Sequence, residues 1–355
     1  MKPLVEVANL EFPLLESLTI HDWEYRGMNQ HRPRLSWKNS RLIVASRLRE
    51  IAWTHHQDKL VNFPIKWGQL TDIKLTASTY GWHEQANTFL SEIVFILRMS
   101  PRLISCHFEI PLLNIIPSMP LLSLPTLQTM VLHDGGTAVR PLLESLDVPE
   151  LLHFEYYPTH RSGHLILPTL LPRTGTKIIS FSTFYYIFAH FEWYKCLSGC
   201  RFLRTITAKS PPTPTSLHPL PAVQDVGQEF LDNLASNPTD PRQFAPAIEV
   251  IDWQSGGKFT DSGILRFIKA KQSNPSLATL KELTISLDRP RDFDIFKNRQ
   301  VAEFIEAGLK LRIDYPIPER GSSRFMSSWG TPGMKNPFEI LEELARSVTS
   351  AAAEA

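Results

Sequence analysis

Short segments of the form apolar, two residues, apolar, one residue, apolar recur from one end of the chain to the other. Leu15, Leu18 and Ile20 open the series, followed by Leu48, Ile51 and Trp53, then Leu70, Ile73 and Leu75, Leu103, Cys106 and Phe108, and Leu127, Met130 and Leu132. It continues with Leu151, Phe154 and Tyr156; Ile178, Phe181 and Thr183; Leu203, Ile206 and Ala208; Ile248, Ile251 and Trp253; Leu280, Leu283 and Ile285; and Gly308, Leu311 and Ile313. Side chains alternate between the two faces of a strand, so the residue between the last two inward positions must point outward. Those residues are Thr19, Ala52, Lys74, His107, Val131, Glu155, Ser182, Thr207, Asp252, Thr284 and Arg312, all polar but Ala52 and Val131. The flanking positions are polar as well, with Phe184 and Val250 as apolar exceptions. Eleven short strands, each with one apolar and one polar face, are therefore predicted.

Proline supplies an independent regularity. Pro13, Pro101, Pro125, Pro149 and Pro246 each stand two residues ahead of a first apolar position. Their fixed φ and missing N–H suit the entry to a strand and oppose helix. Between the strands the apolar spacing changes to three and four, as in Phe89, Ile93, Ile96 and Leu97, Leu142, Leu143 and Leu146, Phe230, Leu231 and Leu234, Ile264, Phe267 and Ile268, and Val301, Phe304 and Ile305. That periodicity predicts helices. The middle positions lie between 22 residues apart, from 51 to 73, and 45 apart, from 206 to 251. Six of the ten gaps fall in the roughly 20 to 29 residues of leucine-rich repeats. The predicted fold is α/β: an irregular leucine-rich-repeat solenoid, curved, with a largely parallel sheet inside and helices and loops outside.

This array is expected to occupy residues 1–315, interrupted by a loop at 209–222 that carries Pro211, Pro212, Pro214, Pro219 and Pro221. Residues 316–335, rich in Pro, Gly and Ser, read as a flexible linker. Residues 336–355 read as a terminal helix with Phe338, Leu341, Leu344 and Val348 on one side, able to cap the last repeat as solenoid ends require.

The chain has 355 residues, 43% hydrophobic and 21% charged, with 37 Lys plus Arg against 36 Asp plus Glu. That balance offers no basic field for nucleic acid or an anionic membrane. Cys106, Cys196 and Cys200 are too few for a secreted disulfide scaffold, which points to a reducing compartment, cytoplasmic or nuclear. The start of the chain carries Glu6, Glu11 and Glu16 where a signal peptide needs an apolar run. The uncharged stretch from Ile110 to Leu132 is broken by Pro111, Pro117, Pro120 and Pro125, so it is not a membrane helix.

The run LSEIVFILRMSPRLISCHF at 90–108, with WGQLTDIKL at 67–75 and LPTLQTMVL at 124–132, resembles the leucine-rich-repeat region of fungal, basidiomycete F-box-like proteins. The resemblance covers most of the chain. It implies a substrate-binding part of a ubiquitin-ligase receptor, whose partner is a protein. In that family an amino-terminal F-box docks on the ligase adaptor. Here the repeats begin by about Pro13, no F-box is visible, and adaptor docking is not expected from the sequence.

No enzymatic motif is found. Gly135, Gly136, Gly256 and Gly257 lack the Lys-Ser or Lys-Thr continuation of a phosphate loop, no GxSxG is present, and the CxxxC of Cys196 and Cys200 is neither a redox nor a zinc pair. His153, Glu155, His160 and His164 form the best candidate metal cluster, but a turn containing Arg161, Ser162 and Gly163 separates its last two members. His55 and His56 read as turn residues, and Trp53 and Trp253 as core. Trp82, Trp193 and Trp329 lie off the strands. The outward residues His107, Glu109, His133, His153, Glu155 and Tyr157 come from three consecutive units and should form one patch on the concave face that solenoids use for partners. The expected function is protein recognition without chemistry or cofactor, with Tyr157 as an aromatic anchor. The alternatives are a degenerate repeat protein with no ligase role and a metal-dependent enzyme built on the histidine cluster.

Overall fold

The computed structural model describes residues 12–21, 40–54, 60–76, 86–110, 119–134, 139–158, 167, 171, 177–185, 197–211, 226–236, 244–254 and 257–316. The chain divides into two units, Met1–Tyr315 and Pro316–Ala355, and the first is described below. Most of the proline-rich loop, the linker and the terminal helix expected after 316 lie outside the described residues. So do His55, His56, Trp82, Gly135, Gly136, His160, His164, Trp193, Cys196, Gly256 and Trp329.

The architecture is α/β, built on one eleven-stranded parallel sheet. Its strands are β1 (Ser17–His21), β2 (Glu50–Thr54), β3 (Asp72–Thr76), β4 (Ser105–Ile110), β5 (Thr129–Asp134), β6 (His153–Pro158), β7 (Ser180–Phe184), β8 (Thr205–Lys209), β9 (Val250–Trp253), β10 (Glu282–Ser286) and β11 (Lys310–Asp314). Each strand pairs with the one before it and the one after it in sequence. The helices α1 (Ala86–Met99), α2 (Val139–Ser145), α3 (Glu229–Leu234), α4 (Asp261–Ser273) and α5 (Arg299–Glu306) lie outside the sheet, at the segments whose apolar spacing predicts them. Two short parallel pairs, Leu122–Ser123 with Leu146–Asp147 and Val226–Gly227 with Gly257–Lys258, stand apart from it. No helix among the described residues is long and apolar enough to cross a membrane.

Register follows the hydrophobic pattern. Leu18, Ile51, Ile73, Cys106, Met130, Phe154, Phe181, Ile206, Ile251, Leu283 and Leu311 stand opposite one another along the whole sheet. A slip of one residue would turn every apolar side chain outward, so burial of this face specifies the pairing strongly. The inward rows and the buried faces of the helices form one continuous core. Each large aliphatic or aromatic residue in it contributes about 1.5 to 3 kcal/mol of transfer free energy. At β8 and β9 a small residue makes room for a bulky ring: Ala208 faces Trp253, whose ring packs on Phe230 of α3 at 5.0 Å and on Phe259 at 5.3 Å. The one polar inward residue of the triplets, Thr183, is buried and satisfies its hydroxyl by donating to the Tyr156 carbonyl at 2.6 Å.

Strand entry is built the same way almost everywhere. In nine of the ten junctions, the carbonyl of the residue just before one strand accepts two successive backbone N–H groups from the next unit, as Thr71 does from Ile104 and Ser105 at 2.8 and 3.0 Å. A turn precedes seven of these entries, closed by the amide of the first inward residue onto the carbonyl three residues earlier, as in Leu103 to Ser100 at 3.2 Å. All five prolines sit at the second position of such turns, where a fixed φ near −65° is favoured. Their role is to preset this turn, one step earlier than the strand entry read from the sequence.

The last unit corrects the pattern. Leu309, not Gly308, is the buried first residue. Gly308 takes φ 109° and ends α5, with its N–H donating to Ile305 and that of Leu309 to Phe304, both at 2.9 Å. This is the left-handed helix cap that glycine supplies without strain.

Around α4 two buried charges behave differently. Asp261 is fully buried but accepts hydrogen bonds from the Arg289 guanidinium, from the backbone of Asp292 and Phe293 at 2.7 and 3.1 Å, and from the Tyr315 hydroxyl at 3.0 Å. Burial pushes its carboxyl up, and those four donors together hold it below the usual value. Lys271, 1% exposed, has one weak bond to the Pro246 carbonyl at 3.4 Å, so burial outweighs the attraction of Glu249 and brings its pKa down to about 8.

Two outcomes follow. Nothing lies within 4 Å of a Cβ added at Gly308, so the cost of Gly308→Ala should be the backbone strain of a side chain at positive φ, about 1 to 2 kcal/mol in denaturant unfolding. For Lys271 the unfolded chain holds the proton up to pH 10.5 and the folded chain only to about pH 8. The stability of the native protein relative to Lys271→Met should therefore rise by about 3 kcal/mol as pH increases across that window; unchanged relative stability would mean that water reaches the ammonium.

Candidate binding face of the sheet

The outward residues of β4, β5 and β6 are placed by the same register that builds the core. His107, Val131 and Glu155 stand in one cross-strand row, and Glu109, His133 and Tyr157 in the next. His153 lies in the entry row opposite Thr129 and Ser180, exposed and away from the rest. The six expected residues thus occupy three adjacent strands, but only five of them gather.

The gathered residues form a ladder of rings. His107 and His133 stack at 5.2 Å with 13° between their planes, His133 meets Tyr157 at 4.8 Å, and Tyr157 meets Phe184 of β7 at 5.1 Å. The Tyr157 hydroxyl donates to Glu155 Oε2 at 2.7 Å, while Lys209 of β8 places its ammonium 4.7 Å from the Tyr157 ring and 3.5 Å from the same carboxylate. Such a cation over an aromatic face is favourable, more so as water is excluded. The pKa of the Tyr157 phenol is pushed up, first by burial and then by its hydrogen bond to Glu155 and the charge of that carboxylate. Tyr157 is 3% exposed and Phe184 7%, although both belong to the polar side of their strands. The expectation of Tyr157 as an exposed anchor is therefore corrected. It is a covered spacer that fixes Glu155 and the histidines.

Both imidazoles are neutral at physiological pH. Burial lowers the His107 pKa to about 4, helped by His133 and Lys74 and opposed by Glu155. His133 is lowered by burial, against the pull of Glu155. Burial raises Glu109, and Lys74 offsets part of that rise. A stacked pair of neutral imidazoles offers hydrogen-bond acceptors as well as donors, with no net charge of its own.

Lys74, Phe184 and Lys209 complete the site, yet were not counted in it from sequence. The signal that finds them is the same row arithmetic, carried one strand further on one side, to β3, and two on the other, to β7 and β8. Among the described residues no group of three or more His, Cys, Asp or Glu is arranged to hold a metal ion. The metal cluster read from the sequence depends on His160 and His164, outside the described residues. Of the cysteines, Cys106 and Cys200 are buried, and burial pushes the Cys200 thiol up to about 12, so neither is a nucleophile at neutral pH.

No protein-family model matches the chain, and no curated protein matches it either.

The imidazole environment sets an acid response. The folded His107 pKa lies below its unfolded value of 6.5, so this residue costs stability as pH falls from 6.5 through about 4. His107→Asn should remove about 2 kcal/mol of that acid loss, allowing for solvent screening. Unfolding midpoints of the two proteins should converge at acid pH; a parallel pH dependence would disprove the neutral, half-buried imidazole.

Proposed function

We propose that this chain is a non-enzymatic protein-recognition scaffold, a leucine-rich-repeat solenoid that docks a partner on the polar face of its parallel sheet. The observation that carries the reading is the one-sided character of the sheet. Parallel sheets in most proteins are covered on both faces and their strands read as continuous apolar runs. Here the strands alternate, one face belongs to the core, and the other carries rows of Thr, Ser, Asp, Lys, Glu and His across eleven strands. Repeat arrays use such extended faces for partners. The ring ladder with Glu155 and Lys209 gives that face a prearranged centre, and Glu109 and Lys74 lie at its border.

The resemblance of the repeats to those of F-box-like proteins supports a more specific version, in which the partner is the substrate of a ubiquitin ligase. That version needs a route to the ligase adaptor, and the repeats supply none by themselves.

The test compares three tagged full-length proteins: the native chain, a face variant carrying Lys74→Glu and Thr207→Arg, and a helix-side variant carrying Phe95→Glu on α1, where Phe95 is 38% exposed. A stoichiometric partner of the native chain should fall at least about tenfold on the face variant and persist on the helix-side variant. Persistence on the face variant with loss on the helix-side variant would move the docking surface off the sheet. Stoichiometric recovery of the ligase adaptor with the native chain would establish the ligase version, and a partner recovered without it would leave a free-standing scaffold.

A further inference from the structure

Within the ring ladder, the charges are unequally matched. Glu155 is engaged by Lys209 and by the Tyr157 hydroxyl. Lys74 is exposed and hydrated. Glu109 stands beside His133 in the register, two residues beyond His107 on the same side of β4, half-buried, and among the described residues it makes no hydrogen bond or ion pair. Among the described residues it is the carboxylate of the patch that has given up water without receiving a hydrogen bond, with only the more distant charge of Lys74 to offset it, a state that burial makes costly. Its own pKa is raised accordingly.

Next to it, the stacked imidazoles of His107 and His133 carry acceptor nitrogens and no charge, with His133 enclosed between His107 and Tyr157. A carboxylate beside neutral, acceptor-bearing rings matches a guanidinium better than an ammonium. The guanidinium is planar, stacks on rings, is weakly hydrated, and forks two N–H groups onto one carboxylate.

We infer that Glu109, with the neighbouring neutral rings of His107 and His133, is a subsite for an arginine side chain presented by the partner. The inference rests on the reading of this face as a docking surface and specifies what the partner brings to it. An acidic partner segment would meet Glu109 and Glu155 with like charge, leaving Lys74 as its contact.

The experiment titrates full-length protein, carbon-13 labelled at histidine and glutamate, with N-acetyl-argininamide, and with the corresponding lysine and glutamate amides as comparators. The arginine probe should shift the His107, His133 and Glu109 signals saturably and lower the titration midpoint of Glu109 by about 1 pH unit. The response should be larger than that to the lysine probe and lost in Glu109→Gln, whose undisturbed His107 and His133 signals would confirm that it is folded. No saturable response, an equal response in Glu109→Gln, or a stronger response to the glutamate probe would overturn the subsite. If the face variant still loses its partner while the arginine probe is silent, only this inference fails. If the face variant keeps its partner, the docking surface beneath it fails.

Discussion

Nine strands of the sheet, β2 to β10, enter by giving two successive backbone N–H groups to the single carbonyl just ahead of the strand before, and the rest of the molecule depends on that hand-off. A carbonyl has two lone pairs, so one oxygen can satisfy both donors while the chain swings from turn to strand. The swing fixes which residue of the new strand is first to face the core. From there the period of two places every later side chain. The aliphatic rows, the ring ladder and the charges around it are all read off from that starting point.

Such a constraint makes the two faces of the sheet dependent on each other. Phe154 and Phe181 stack at 5.9 Å in the core because their strands are level, and for the same reason Glu155 is level with Ser182 outside. The inner face tolerates a polar residue only when it is answered locally, as Thr183 is by the Tyr156 carbonyl and as the buried Asp134 is by the Tyr156 hydroxyl at 2.9 Å. On the outer face the same requirement is met less completely. Glu155 collects a phenol and an ammonium, while Glu109 keeps its place without either.

Sequence alone showed the strands, their direction of facing and the rows in which they align, because a period of two with apolar residues on one phase leaves little freedom. The five helices were legible for the corresponding reason at a period near 3.6. Four matters were not. The prolines mark turns rather than strand ends, since both uses require the same φ and only the hydrogen bond from Leu103 to Ser100 and its counterparts separate them. Gly308 was given a core position that belongs to Leu309, because a cap glycine interrupts the count by one. Tyr157 was placed on the correct side of β6 but given the wrong exposure: alternation tells which way a side chain points, not what lies over it. The burial of Lys271 was illegible for a similar reason, its long stem being as compatible with the surface as with the interior.

The shared-carbonyl junction also bears on how such a chain can change. Because every junction joins only a unit to its immediate predecessor, the connecting segment between two strands can lengthen without altering either hydrogen bond. The 45 residues that separate Ile206 from Ile251 leave β8 and β9 as level as the 22 that separate Ile51 from Ile73 leave β2 and β3. Insertion, and even loss of a whole unit, is then a local event, closed by re-forming one pair of donors on one oxygen. A lineage built this way can diverge in length and in connecting chain until little common sequence remains, while keeping a single rule of assembly.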